Sequence, residues 1–365
     1  MICFVFFNAQ AQNFSIEPIS FLPDLVRESS GLILLGDNLV TINDSGNEAT
    51  LYEVDPTDGQ LLAEVQVEQA INGDWEGLAK DQQYIYIADI GNNDGDRKDL
   101  RIYRVLLSEY LQGNSTVSAD SILFSYQDQT NFVSTPLSNF DAGALISYGD
   151  SLYIFTKNWA DQHTNIYSLP KTTGSFEAKR VGRINTEGLV TGAVYNSNTD
   201  EIMLIGYSFQ SAFLVRLWNF EAADFDQGEM ARYPLNLQGS FQVEAIEIVD
   251  EKDYYITSES NDQGEARLWR INTDFVVGFD DSQDAKPMLY PNPVRHQLHF
   301  RGPRTGISEI SLYNSMGAKV KSWPPNNLEP KRDVVLNLAG VPQGIYQISI
   351  ATSSEEIRRK IIVVQ

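Results

Sequence analysis

The chain is poor in the residues that support thiol, zinc and histidine chemistry. Among 365 residues there is one cysteine, Cys3, and there are three histidines, His163, His296 and His299. That excludes a Cys/His zinc cluster and a disulfide framework. A Ser-His-Asp relay would have to use His163, and no Gly-x-Ser-x-Gly elbow accompanies it. Basic residues are also scarce: 27 Lys and Arg stand against 49 Asp and Glu, a net charge of −22. Nucleic acid is therefore not an expected partner, because binding phosphates needs cations that release counterions. Docking on anionic lipid by a basic patch is excluded on the same ground. No run approaches the ~18 apolar residues that span a bilayer, so no transmembrane segment is expected, and no glycine loop for phosphate is present. What the chain does have is a hydrophobic fraction of 42% with 11% aromatics. That is enough to build packed cores, and the length suits two or three domains.

The first eleven residues read as the end of a signal peptide. Ile2–Phe7 are apolar, and Ala9-x-Ala11 has the small-residue spacing of a cleavage site. Residues 1–11 are thus assigned to a truncated leader, which would carry Cys3 away with it.

Five segments of the body share one plan. Each opens on a small residue: Gly31, Gly77, Gly143, Gly192 and Ala245, at steps of 46, 66, 49 and 53 residues. A β-branched and aromatic run follows, then a third run ending in Tyr or Trp, with Gly, Asp and Asn turns between them. A fourth strand follows most units, at 61–68, 121–127, 178–184 and 232–237. The fifth unit lacks one, but Phe14–Phe21 is a strand without a unit. Placing it beside the fifth unit closes a ring and removes an exposed edge. Residues 12–272 are therefore predicted to form an all-β, five-bladed β-propeller closed by the N-terminal strand. Six blades remain open, since the 66-residue step has room for a degenerate unit over Leu106–Phe140. Small residues are expected at the innermost strands because those strands crowd the axis.

In such a meander the loop before each first strand and the loop after each second strand lie on one face near the axis. That face collects Glu28, Asp44, Glu76, Asp141, Lys157, Glu244 and Glu259, the candidate ligand-binding set. Asp74, Glu187, Asn43, Asn158 and Ser258 share it, and Trp75 and Trp159 border it. Carboxylates and amide oxygens suit a hard cation such as Ca²⁺. The richest loop runs from Asp89 to Asp96, so Glu76, Asp89, Asn92 and Asn93 are the candidate metal ligands, although the loop is not an EF-hand. Asp and Asn also build ordinary turns, so a purely structural role suits the same residues.

The stretch Asp74–Val105 resembles a pattern in secreted bacterial propellers, some grouped with calcium-dependent phytase-like or lactonase-like enzymes. That resemblance implies a Ca²⁺ held near the axis by Glu, Asp and Asn. It assigns no activity to this chain.

Residues 273–287 are polar and acidic and read as a linker. Residues 288–365 change character, with alternating strands and Gly turns that predict a small β-sandwich. Tyr290, Pro291, Asn292 and Pro293 open the module. Gly317 closes a turn, Gly344 and Tyr346 end a Gly-Val-Pro-x-Gly-Ile-Tyr run, and Lys360 begins the last apolar strand. These ordered motifs closely resemble the type A C-terminal sorting domain of the type IX secretion system. The resemblance implies passage through the outer membrane of a Gram-negative bacterium by that machinery, with release or attachment to surface lipopolysaccharide. His296 and His299, at i and i+3 of a strand, would face opposite sides and share no metal. The module holds ten Lys and Arg against five Asp and Glu, while the preceding 287 residues hold 17 against 44. The acidity therefore belongs to the body.

Three roles follow. The first is a secreted or cell-surface propeller binding a ligand or partner through an acidic, Ca²⁺-loaded face. The second is a calcium-dependent hydrolase of the phytase, esterase or lactonase kind, and the third is a structural surface protein.

Overall fold

The structure is a computed structural model. It describes residues 14–209, 211–237, 242–260, 264–273, 288–290, 294–301, 309–314, 317–323, 334–351 and 356–363. Residues 1–11, read above as the end of a signal peptide, nearly all of the expected linker, and Pro291, Asn292 and Pro293 of the sorting motif lie outside the described residues. The chain divides into two compact units, 1–275 and 276–365.

The first unit is all-β and propeller-like. The first four-stranded meander is β2 (Ser29–Leu35), β3 (Asn38–Asn43), β4 (Thr50–Val54) and β5 (Leu61–Glu68). The second is β6 (Trp75–Lys80), β7 (Tyr84–Asp89), β8 (Arg101–Leu106) and β9 (Thr116–Tyr126). The third is β10 (Asp141–Tyr148), β11 (Ser151–Lys157), β12 (Thr164–Pro170) and β13 (Gly174–Ile184). The fourth is β14 (Leu189–Asn196), β15 (Glu201–Tyr207), β16 (Ala212–Trp218) and β17 (Glu229–Leu235). The last is β18 (Val243–Ile248), β19 (Asp253–Ser258) and β20 (Arg267–Thr273). Its fourth strand is β1 (Phe14–Phe21), which pairs antiparallel with β20 from Phe14–Thr273 to Phe21–Arg267.

Burial explains why the strands differ in pattern. The second strands are sandwiched between neighbouring meanders and are buried on both faces, as in β7 and β19. They read as continuous apolar runs. The outermost strands meet solvent on one side and alternate, as in β9. Each core fills a seam. Ile42 and Leu51 of the first meander pack with Trp75 and Tyr103 of the second. Tyr126 packs with Tyr167 across the next seam. Phe155 meets Phe213 and Phe225 across the third, and Met203 meets Tyr254 across the fourth. Leu32 and Tyr52 meet Tyr255 and Leu268 across the last, which joins the fifth meander to the first.

The first strands pack side by side around an axis in the cyclic order β2, β6, β10, β14, β18 and back to β2. The small residues allow it. A Cβ on Gly31 would lie 2.7 Å from the Leu78 backbone nitrogen, and one on Gly192 2.9 Å from the Glu244 carbonyl oxygen. The axial cavity that all five strands line holds about 10 Å³, about one water. The 66-residue step contains no further meander: residues 107–140 form a short helix α1 (Leu107–Tyr110), β9 and a long loop. β9 reaches past its own meander, pairing in parallel with β5 and with β13.

The second unit has two sheets. One is β21 (Met288–Tyr290), β22 (Gln297–Arg301) and β25 (Val334–Asn337). The other orders β24 (Lys319–Trp323), β23 (Glu309–Asn314), β26 (Gly344–Ala351) and β27 (Glu356–Val363). Leu298 and Leu336 of the first sheet share one core with Ile310, Leu312, Ile348 and Ile361 of the second. Gly317 takes φ +79° in the turn where its N–H donates to Asn314. Tyr346 donates its hydroxyl to the Pro342 carbonyl at 2.8 Å, and Gly344 leaves room against its ring.

Candidate functional site

Every first strand carries a register shift near its start. The pairing skips one residue between Ser29 and Gly31, Trp75 and Gly77, Ala142 and Ala144, Val190 and Gly192, and Val243 and Ala245. A bulge re-aims the extra side chain. At Ser30 and Thr191 that side chain donates to the next meander, to the Trp75 carbonyl at 2.8 Å and the Val243 carbonyl at 2.6 Å. At Glu76 and Glu244 the same position holds a carboxylate instead.

The cation between them is Lys157, at the end of β11. Its Nζ donates to Glu76 Oε2 at 2.6 Å, with side chains 8% and 4% exposed. Gly143 makes room for it, since a Cβ there would collide with Lys157 Cε. Asp44, Asp74 and Glu76 each bring an oxygen within 4.8 Å of the others. Glu244 is 6% exposed, and its carboxylate has no hydrogen-bond partner among the described residues.

These acids raise one another's pKa. Burial, then the bond and charge of Asp44, push Asp74 up to about 7. Burial and the charges of Asp44 and Glu28 push Glu259 to about 7, against the pull of Lys157. Glu76 and Glu244 stand well above the ordinary carboxylate range, chiefly through burial, with Lys157 opposing. Burial disfavours the Lys157 cation, but Glu76, Asp141 and Glu244 outweigh it and hold its pKa up.

The remaining sequence candidates divide. Asp141 is fully buried and accepts from the Asn92 N–H at 2.7 Å, the Ala142 N–H at 2.9 Å and Trp159 Nε1 at 2.8 Å. Glu28 accepts from Asn47 at 2.6 Å. Asp89 and Asn92, expected beside Glu76 as metal ligands, are taken up by Arg97 of their own loop and by the loops before β6 and β10. Asp89 binds Arg97 at 2.8 Å and the Asp74 N–H at 2.9 Å. Asn92 donates to the Phe140 carbonyl and accepts from the Arg97 N–H, and Asn93 is exposed. Trp75 is buried in a seam, and Glu187 is exposed. Asp74 takes the place in the carboxylate group that the sequence assigned to Asp89. Its adjacency to Glu76 in the loop before β6 was the available signal.

The loops of this face interlock around the ring. Asn72 donates to the Asn43 and Asp44 carbonyls, and the Thr135 N–H to the Asp94 carbonyl. The Gly188 N–H donates to the Gln162 carbonyl, Gln242 to Tyr207, and the Ser260 N–H to the Arg27 carbonyl. His163 is held within its own loop, with Nδ1 2.8 Å from the Asp161 carbonyl oxygen.

Residues 288–364 match the family model of the secretion system C-terminal sorting domain. Such a tail marks proteins secreted or attached at the cell surface in Gram-negative Bacteroidetes, so the chain is exported and handled by the type IX machinery. No helix among the described residues is long and apolar enough to cross a membrane. No curated protein matches the chain. Among solved structures, an exo-β-1,3-galactanase from Phanerochaete chrysosporium is 12% identical and covers 96% of this chain and 100% of its own, at TM-score 0.45. A quinonprotein alcohol dehydrogenase-like protein from Bacteroides thetaiotaomicron is 12% identical over 86% of this chain and 68% of its own, at TM-score 0.34. An exported protein from Bacteroides fragilis is 8% identical over 73% and 97%, at TM-score 0.38.

Proposed function

We propose that the body is a five-bladed propeller, followed by a small β-sandwich, that binds a cationic ligand at the acidic mouth of its axis. On the resemblance of its tail, the protein is either released after export or held at surface lipopolysaccharide. The observation that carries the binding reading is the convergence of Asp44, Asp74 and Glu76 within 4.8 Å, with one internal cation for the whole group. Carboxylates this close either take up protons or bind a cation, and oxygen donors suit Ca²⁺. The calcium-dependent hydrolase reading would draw on the same Asp44, Asp74 and Glu76 group, and His163, tied to its own loop, adds no base to it.

Calcium titration of the full chain at neutral pH tests this. Binding should raise the melting temperature, by an amount equivalent to about 2.7 kcal/mol at a hundredfold excess over Kd. Asp74→Asn should weaken binding about tenfold or more, and Asn93→Ala should leave it unchanged. No binding and no thermal shift would remove the motive for a metal at this mouth.

A further inference from the structure

The mouth has a second property that a metal does not need. Of the exposed large apolar residues on the described connecting loops, five lie at the acidic end: Leu25, Ile71, Val133, Leu137 and Phe209. At the opposite end the described loops carry one, Leu111. The five come from loops of four successive meanders. Ile71 is 72% exposed and Phe209 96%. Their backbones are fastened while their side chains face solvent. The Ile71 N–H donates to the Tyr103 hydroxyl at 3.0 Å, and its carbonyl accepts from Trp75 Nε1 at 3.1 Å. The Leu25 carbonyl accepts from Asn43 at 2.7 Å. Phe209 sits in a turn closed by the Ser208 N–H donating to the Ser211 carbonyl at 3.0 Å.

The mouth is therefore a pre-ordered apolar rim around an acidic centre. At that centre Glu244, more than nine-tenths buried, faces Lys157, Glu259, Asp44 and Asp141, and its carboxylate has no hydrogen-bond partner among the described residues. Lys157 is already bonded to Glu76.

We propose that this face docks a segment of a partner protein that presents a Lys or Arg side chain between apolar residues. This rests on the cation-binding reading above and names its ligand class. The partner cation reaches Glu244 and Glu259, and the apolar flanks rest on Leu25, Ile71 and Phe209. A free metal ion would leave the rim unused, and an anionic bilayer would be repelled by the acids. A basic, apolar-flanked segment satisfies both, and the fastened loops lower the ordering cost of binding.

The test uses the full chain and short labelled peptides in fluorescence anisotropy at low salt. One peptide alternates Lys and Leu, a second replaces Leu by Ser, and a third replaces Lys by Glu. The Lys/Leu peptide should bind about tenfold tighter than either control. The exposed-site double variant Ile71→Ser with Phe209→Ser should bring it down to the Lys/Ser level while leaving the Ca²⁺ thermal shift unchanged. Glu244→Gln should bring it toward the Glu/Leu level. Equal binding of the Lys/Leu and Lys/Ser peptides, or no effect of the rim variant, would overturn the proposal even where Ca²⁺ binds. So would sedimentation showing dimers that the rim variant dissolves, which would assign the rim to a second copy. Peptide selectivity that persists without any Ca²⁺ binding would support the docking inference and remove only the metal.

Discussion

The two ends of the ring's axis each hold a lysine–glutamate pair, in different company. At the loop-rich end Lys157 and Glu76 are buried among Asp74, Glu244 and Glu259. At the other end Lys80 bonds Glu247 at 2.6 Å and the Leu34 carbonyl at 2.7 Å, with the lysine side chain 30% exposed. Strand β6 supplies a partner to both, Glu76 near its start and Lys80 at its end. The second pair closes the axis as a balanced plug. The first leaves an excess of negative charge. Loop length is the reason for the difference: the turns at the plugged end are mostly tight and polar, whereas the loops at the other end have room for side chains that the fold does not need.

The largest test of that contrast is removal of each lysine. Lys157→Met should cost about 3–5 kcal/mol in denaturant unfolding, because it leaves a buried, crowded carboxylate uncompensated. Lys80→Met should cost about 1–3 kcal/mol, because water can reach its side of the pair. Added Ca²⁺ should recover part of the first loss and none of the second. Equal losses with equal recovery would mean the two ends do not differ.

A smaller effect is expected from glycines. Gly143→Ala places a Cβ against Lys157 Cε and 2.9 Å from the Thr191 Cα. It should cost about 1–3 kcal/mol and weaken cation binding. Gly36→Ala, in an open turn at φ +61° at the plugged end, should cost about 1–2 kcal/mol from backbone strain alone and leave binding intact.

The pH profile is a further test, in which Asp74 and Glu259 at the acidic end differ in sign from Asp81 and Asp253 at the plugged end, while Glu247, also at the plugged end, is raised by burial. Asp74 and Glu259 have folded pKa values near 7, above their ordinary 3.8 and 4.5. Their stabilising contribution is present below about pH 4 and is lost as pH rises to about 7. Asp81 and Asp253, at the plugged end, are lowered despite burial, by the Gln83 and Tyr84 N–H groups and Lys171, and by Arg270 and Asn272. Their contribution is present above the ordinary value of 3.8 and is lost as pH falls through the folded value. Asp74→Asn should flatten the slope between pH 4 and 7, and Asp253→Asn the slope below it. An unchanged profile in Asp74→Asn would show that Asp74 does not share a proton with its neighbours.

The meanders were legible because burial imposes a pattern. Gly31, Gly77, Gly143, Gly192 and Ala245 marked the crowded strands, and the unpaired run Phe14–Phe21 found the one sheet that lacked a fourth strand. The segment Leu106–Phe140 was ambiguous because a long strand, a helical turn and a loop match a degraded meander in length and composition. The candidate site was legible as a list and not as an arrangement. Asp89 and Asn92 have the residue types of metal ligands, but Arg97 takes up both side chains and the Phe140 carbonyl ahead of the next meander holds the Asn92 amide. Nothing in the linear order distinguishes a carboxylate that satisfies its own loop from one that faces the axis.

Composition, periodicity and ordered motifs were enough to read an acidic, repeated all-β body with an export tail, because each of these follows from local chemistry along the chain. Which acids meet, and that Lys157 stands between Glu76 and Glu244, was settled by the bulges in β6 and β18 and by the closing of the ring. Those contacts join residues 81 and 87 positions apart. Their energies depend on burial and on distances of a few ångströms, which exist only once the meanders have packed.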